Sequence, residues 1–454
     1  MGKNSEKAKK KIGFHDGLPQ IRANAAGIDV GASELWVDVG GKDPEPVRRF
    51  ETFTADLHEI GDWLKRCGIE TAAMESTGVY WIPICQILES KGIEVVLVNA
   101  RHAKNVSGRK TDMVDCQWLR ILHSYGLLAA SFRPARDIGV LRAYMRHRQM
   151  LIEYAAAHVQ HMQKAMTQMN LQLHHVISDI TGATGMRIIR AIVAGERDRG
   201  RLAAMRDSRT KANEETIAKA LEGDYRPEHL FALKQSLELF DSYQKQIEAC
   251  HQQIADHLKS LESKANPAEA LKASRTTKKK RRNQPQFNLR EEAFRISGVD
   301  LTQIDSINES AALGLLAEIG VDMRPWKTEK HFASWLTLCP NNKISGGRVL
   351  HRATRKSASR ARDIFRLCAQ TLLGSRSALG AYCRRMCGRL GSAKGIVAVA
   401  HKLALLVYRM IRFGRDYIDI GQERYEEKYK ERVLKNLARR AKDFGFQLVP
   451  SIPK

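Results

Sequence analysis

Four acidic residues stand where their types and spacing suit chemistry on a phosphodiester. Asp29 lies inside the apolar run Gly27-Ile28-Asp29-Val30-Gly31, and Glu75 closes the run Thr71-Ala72-Ala73-Met74-Glu75. Asp112 and Asp115 are three residues apart at the start of a helical pattern, so they share one face. An acid inside an apolar strand is costly to bury unless something pairs with it. Hard divalent cations such as Mg2+ are suitable partners, because they take carboxylate oxygens together with phosphate and water. Two such ions about 4 Å apart can clamp the attacking and the leaving oxygen of a phosphodiester. Taken singly, each acid reads as a cap or a surface charge. Asp112 can cap its own helix, and Asp38, near the end of the second strand, shows how readily a lone acid arises. The ordered set of four points to a metal site.

A serine is the second chemical feature. Ile344-Ser345-Gly346-Gly347-Arg348 follows Cys339-Pro340-Asn341-Asn342-Lys343, and His351, Arg352, Arg355, Lys356, Arg360 and Arg362 come after it. Paired glycines let a backbone approach a ligand, and two free amides after a serine can hold a phosphate. A serine hydroxyl needs a base or a metal to become a nucleophile, and cations to stabilise the charge that develops. Read alone, Ser-Gly-Gly is a turn, and Ser357 and Ser359 qualify equally by composition.

The surrounding pattern says what positions these residues. Ala26–Val30 and Leu35–Val39 read as a hairpin, with Val47–Phe53 as a third antiparallel strand. Leu57–Cys67 is helical, Thr71–Glu75 a strand, Ile82–Lys91 a helix, Val95–Asn99 a strand and Met113–Tyr125 a helix. Together they predict a mixed sheet in an α/β layer fold, with a mostly helical remainder. Met145 to Val176 and Leu233 to Leu261 each carry apolar residues at intervals of three, four or seven, with Gln244 and His251 filling seam positions. Such stripes predict a coiled coil; two amphipathic helices packed within one chain are the alternative. The methionines of the first stripe read as core, not as a metal box. Thr181–Asp198, with Gly182, Gly185 and Gly195, reads as a break. Ile296 to Ile319 reads as two short helices around a Gly298 turn.

Charge indicates the partner. The 454 residues carry 75 Lys+Arg against 50 Asp+Glu, a net charge of +25. A surplus of that size points to a polyanion. It is concentrated: residues 341–415 hold 17 Lys+Arg and a single acid, Asp363. Cations of this kind grip phosphates irrespective of sequence. No uncharged apolar run approaches the roughly 20 residues of a membrane span. The basic start MGKNSEKAKKKIGFHDG has no apolar segment behind it and does not read as a signal peptide. Eight scattered cysteines without a C-x-x-C argue against a disulfide scaffold and a zinc ribbon, and for a reducing compartment.

Over roughly residues 25–450 the chain resembles the insertion-sequence 110 family of transposases, the DEDD-type, bridge-RNA-guided recombinases. The resemblance rests on Gly27-Ile28-Asp29-Val30-Gly31, on Met74-Glu75-Ser76-Thr77-Gly78-Val79-Tyr80-Trp81, and on Val98-Asn99-Ala100-Arg101-His102 followed by Gly108-Arg109-Lys110-Thr111-Asp112-Met113-Val114-Asp115. Ile344-Ser345-Gly346-Gly347, Ala400-His401-Lys402-Leu403-Ala404 and Tyr408-Arg409-Met410 add to it. The resemblance implies a RuvC-like (RNase H-like) N-terminal domain with Asp29, Glu75, Asp112 and Asp115 as Mg2+ ligands. It also implies a mostly helical C-terminal transposase domain with Ser345 as nucleophile. On this basis the expected organisation is a disordered basic arm at 1–20, the RuvC-like domain at 21–135, a helical coiled-coil dimerisation region at 136–262 and a basic linker at 263–292. The transposase domain then occupies 293–430, with a basic helix and tail at 431–454.

The activity implied is DNA strand exchange through a covalent phosphoserine, with donor and target DNA and a structured guide RNA as partners. A homodimer, tetrameric in the active complex, and a cytoplasmic, nucleoid-associated location are implied as well. Arg109, Lys110, Arg348, Arg352, Arg355, Lys356 and Arg360 are the candidate nucleic-acid contacts. Two rivals share some of these features. A hydrolytic RuvC-like nuclease would use the same acids without the serine, and a non-catalytic nucleic-acid-binding protein would need only the basic surface.

Overall fold

The computed structural model describes residues 19–76, 78–99, 112–266, 271, 283–351, 354–355 and 359–449, excluding the side chains of Asp112, Lys343 and His351. The expected arm at 1–20 falls almost wholly outside that set. So do all of the basic run 275–282 within the expected linker, and Arg109, Lys110, Arg352, Lys356 and Ser357. Contacts gather the chain into two compact units, Met1–Arg133 and Pro134–Lys454.

The first unit is built on a five-stranded sheet of order β3-β2-β1-β4-β5. The strands are β1 (Ala25–Val30), β2 (Glu34–Asp38), β3 (Val47–Glu51), β4 (Thr71–Glu75) and β5 (Glu94–Val98). β1, β2 and β3 run antiparallel, whereas β4 and β5 pair parallel. This is the mixed sheet that the pattern predicts. Helices α1 (Thr54–Arg66) and α2 (Trp81–Ser90) supply the core of one face, where Ile28, Met74, Ile60, Trp63, Leu64 and Leu88 are buried.

Helix α3 (Asp112–Ser124) covers the other face, and three contacts fix its place. Cys116 and Arg120 press on Gly27 so closely that a Cβ there would drive into the Cys116 carbonyl and the Arg120 amide. Arg120 Nε donates to Asp38 Oδ2 at 2.6 Å, and Asp38 is buried. At the far end the fully buried His123 lies 3.0 Å from Arg22 Nη1 and 2.9 Å from Thr71 Oγ1. An arginine can only donate, so His123 Nδ1 accepts and Nε2–H donates to Thr71. Burial, then the Arg22 charge, lowers the His123 pKa to about 4, which keeps that neutral tautomer in place. Gly27→Ala should therefore cost the first unit about 3 kcal/mol through overpacking. Denaturant unfolding measures it, and an unchanged midpoint would mean that α3 does not rest on β1.

The second unit begins with α4 (Arg136–Gln168). After α5 (Leu173–Val176), α6 (Ala183–Val193), α7 (Arg199–Ala204) and α8 (Glu214–Ala220) it returns along α9 (Pro227–Ser260). His257 meets the Asp137 carbonyl, Arg148 meets His251, and the Tyr154 and His158 rings meet Tyr243. The long helices are thus antiparallel neighbours. Their stripes face each other in one core, where Met162, Met166 and Met169 pack with Leu233, Leu237, Phe240 and Ile247. The methionines are core, as read. The pairing fills both stripes from within the chain, which is the alternative that the heptads left open. The seam residue His251 is neutral: burial lowers its pKa, its Nδ1–H donates to Glu248 and its Nε2 accepts from Arg148.

The expected break at 181–198 is instead largely the helix α6. Gly182 starts it, and Gly185 lies against the Ile180 carbonyl where a Cβ would not fit. Gly185 serves packing rather than a turn, Gly182 closes a turn onto the Asp179 carbonyl before the helix, and Gly195, at φ +105°, follows the helix end.

The rest of the unit is helical apart from one hairpin. It contains α10 (Leu289–Ser297), α11 (Glu309–Ile319), α12 (Glu329–Trp335), the strands β6 (Lys343–Ser345) and β7 (Arg348–His351), α13 (Arg360–Thr371), α14 (Ala378–Leu390), α15 (Ser392–Phe413) and α16 (Gln422–Asp443). Side-chain caps start most of these helices: Asn288, Asn308, Thr328, Ser359 and Ser377 each accept a backbone amide. Gly298, at φ +73°, ends α10 as the expected turn. Phe332, Phe365 and Leu403 are fully buried between α12, α13 and α15, and the Tyr408 hydroxyl donates to the Trp326 carbonyl. Arg146 grips the carboxylate of Glu318 with two bonds of 2.9 and 2.7 Å, tying α11 to α4. Among the described residues, no helix is long and apolar enough to cross a membrane.

Candidate active site

The sheet brings Asp29 and Glu75 together by register. Ile28 pairs with Met74 across the parallel β1–β4 ladder, so the next residues, Asp29 and Glu75, are neighbours at the carboxyl ends of the two strands. They share the face occupied by Gly27 and Ala73, because strand side chains alternate. That is the face α3 covers.

The helix then delivers Asp115 to the same end. α3 runs opposite to β4, with His123 bonded to Thr71 at the strand's start. The eight residues from His123 back to Asp115 rise about 12 Å along a helix. The four from Thr71 to Glu75 rise about 13 Å along a strand. Asp115 therefore comes level with Glu75, and Asp112 begins the helix beyond it. Cys116 records the neighbourhood: burial pushes its thiol up to about 12, with the charges of Asp38 and Asp29 adding to the rise.

Asp29, Glu75 and Asp115 offer hard carboxylate oxygens, the donor chemistry that a hard divalent cation takes. Among the described residues no group of three His, Cys, Asp or Glu side chains is close enough to hold one ion. The fourth acid, Asp112, has its side chain outside the described set.

The serine is presented quite differently. β6 and β7 form a two-stranded hairpin in which Ser345 pairs with Arg348 and Ile344 with Val349. Gly346 and Gly347 have φ of +55° and +75°, the two left-handed residues of a type I′ turn. The turn that Ser-Gly-Gly predicts is present, and it puts an exposed Ser345 at the base of the hairpin tip. Ser359 has another task. Its side chain accepts the Arg362 amide as the cap of α13.

The basic region divides into held and exposed cations. Arg384 donates to the Leu373 and Ser375 carbonyls, Arg409 is bonded to Glu329, and Arg385 lies 3.9 Å over the Tyr429 ring. Arg355 donates to Ser334 yet remains exposed. Arg348, Arg360, Arg366, Arg376, Arg389, Lys394, Arg412 and Arg415 are exposed as well. Asp38 is the residue that sequence reasoning undervalued. It is no incidental acid, because it accepts from Arg120 and from the Gly40 amide and so holds the helix that carries Asp112 and Asp115. The available signal was an acid ending an apolar strand, with a basic residue in a later helix.

Two family models match the chain. A DEDD transposase model matches residues 26–171, which include the sheet and α3. The model of the Transposase IS116/IS110/IS902 family matches residues 300–383, which include the serine hairpin. No curated protein matches the chain. The matched regions define a DNA transposase, an enzyme that recombines DNA. The chain belongs to the IS110 family. Its DEDD-type domain implies a divalent metal cation, and its substrates are DNA.

Proposed function

We propose that the chain moves an insertion sequence by Mg2+-dependent strand cleavage and exchange through a serine–DNA intermediate, guided by a structured RNA. The observation that supports the reading is the ladder register that makes Asp29 and Glu75 neighbours at the carboxyl ends of β1 and β4.

Asp29, Glu75, Asp112 and Asp115 would hold the metal. Bound there, Mg2+ would supply Lewis-acid stabilisation of the phosphoryl oxygens. Ser345 Oγ attacks the phosphorus, its proton passes to solvent, and a serine–phosphate ester replaces the broken bond to the 3′ oxygen. A free 3′-hydroxyl then attacks that ester and releases the serine. Arg348, Arg352, Arg355, Lys356 and Arg360 on the serine side, and Arg109 and Lys110 on the acid side, neutralise phosphates. The acids and the serine belong to separate compact units, and the reaction requires that they meet on one phosphodiester. A homodimer, tetrameric in the active complex, is part of the proposal.

The surplus of +25 fits a protein that grips backbone while base pairing reads sequence. Nucleic acid that copurifies with the chain should therefore contain one structured RNA, identifiable by sequencing. Its removal with ribonuclease should abolish recombination between two DNA duplexes, and adding it back should restore activity. Recombination that survives complete ribonuclease treatment would remove the guide from the reading.

A further inference from the structure

Close after Glu75, the described residues 78–82 form a short turn that displays apolar side chains. The Ser76 amide and hydroxyl both donate to the Val98 carbonyl, at 3.0 and 3.1 Å, which fixes the exit from β4 to β5. Gly78 then turns the backbone through φ +55°, and the Ile82 amide closes onto the Val79 carbonyl at 3.1 Å. Trp81 is anchored by the Arg133 guanidinium over its ring, and Arg133 is in turn paired with Glu89. Its neighbours point outward: Val79 is 66 % exposed, Tyr80 49 % and Ile82 37 %. Met113, in the first turn of α3, is exposed too. The Tyr80 ring stands over Gly78, where a Cβ would already touch it at 3.4 Å.

Exposed apolar side chains gathered at one end of a sheet mark a contact surface. This one lies at the strand ends where Asp29 and Glu75 stand. A turn tied down on both sides that holds an aromatic ring half in solvent suits stacking, because less freedom is lost when a second ring settles on it. The acids beside it, which act on a DNA phosphodiester in the reading above, make a nucleic acid the occupant, and the flat π-face favours a base. We propose that Tyr80, flanked by Val79 and Ile82, is a stacking platform for the unpaired nucleobase next to the phosphodiester to be cut. Tyr80 is then a positioning residue: it fixes the strand so that the phosphate lies at the acids. The inference rests on the functional reading above and adds a base-binding subsite to it.

The test uses the full chain and single-stranded DNA oligonucleotides carrying 2-aminopurine, whose fluorescence is quenched by stacking. Wild type and Tyr80→Phe should quench it and bind alike. Tyr80→Ala should lose the quenching and weaken single-strand binding about tenfold, the usual effect of removing one base–aromatic stack. Duplex binding should change little, and thermal unfolding should be unaltered for so exposed a ring. Equal quenching and affinity in Tyr80→Ala would overturn the platform. So would an unchanged affinity combined with a smaller assembly in sedimentation, which would assign the patch to a second copy of the chain. The measurement needs neither cleavage nor Ser345. A positive result beside an inactive serine would therefore retain the platform and reject the phosphoserine chemistry.

Discussion

Ser345→Ala should abolish recombination and the protein–DNA adduct together, while leaving fold and salt-sensitive DNA binding nearly intact. The substitution removes one oxygen from an exposed position beside a Gly-Gly turn, so there is no core to disturb and no cavity to create. Removing a catalytic nucleophile costs on the order of a millionfold in rate where this has been dissected. Wild type, given Mg2+, copurified RNA and DNA substrates, should yield an adduct that survives denaturing electrophoresis and maps by peptide analysis to Ser345. The variant should yield none. A hydrolytic nuclease would still cut DNA with alanine here and would never form the adduct. A non-catalytic binding protein would neither cut nor link. An adduct at Ser357 would move the nucleophile, whereas one at Ser359 would require α13 to give up its cap. Full recombination by Ser345→Ala would end the serine mechanism.

The second large effect is expected at the carboxylates. Asp29→Asn keeps the shape of the side chain and removes one charge from the end of β1. Neighbouring carboxylates repel when nothing neutralises them, so the apo-protein should be no less stable than wild type. Cation binding should weaken, seen as reduced heat on titration with Mg2+ or Mn2+. Strand cleavage should fall by on the order of a thousandfold or more, the scale on which a preorganised electrostatic partner acts in catalysis. Chelation of the wild type should mimic the variant. Full activity in EDTA, or cation titration unchanged by Asp29→Asn and Glu75→Gln alike, would reject these acids as the metal site.

The sheet and its acids were legible in the sequence because both depend on short-range pattern. Short apolar, β-rich runs mark β1 to β5 to within one or two residues, and an acid at the end of an apolar strand stands out against its neighbours. What was not legible depends on partners distant in sequence. Nothing near Asp38 announces Arg120, 82 residues away, although that pair seats the helix carrying Asp112 and Asp115. The stripes on α4 and α9 specify a mating surface but not whose. A heptad seam looks the same when filled by a second copy as when filled by the same chain returning antiparallel. In α6 the glycines misled, because Gly185 is small in order to let a carbonyl approach, not in order to turn. At Ser345 the sequence foretold a turn, but not that two flanking strands would make it the end of a hairpin.

That hairpin has a consequence for the timing of the proposed reaction. Two strands alone are marginal in water, and this pair leaves Ile344, Val349 and Leu350 exposed. Below it, among the described residues, only the Pro340–Thr354 bridge continues the pairing, so a Ser345 nucleophile, as proposed, would acquire a fixed environment only where the tip lands on a partner. On the proposed mechanism, the cost of ordering this small ribbon would itself guard against stray cleavage, because correctly assembled nucleic acid can offset it and a chance encounter cannot.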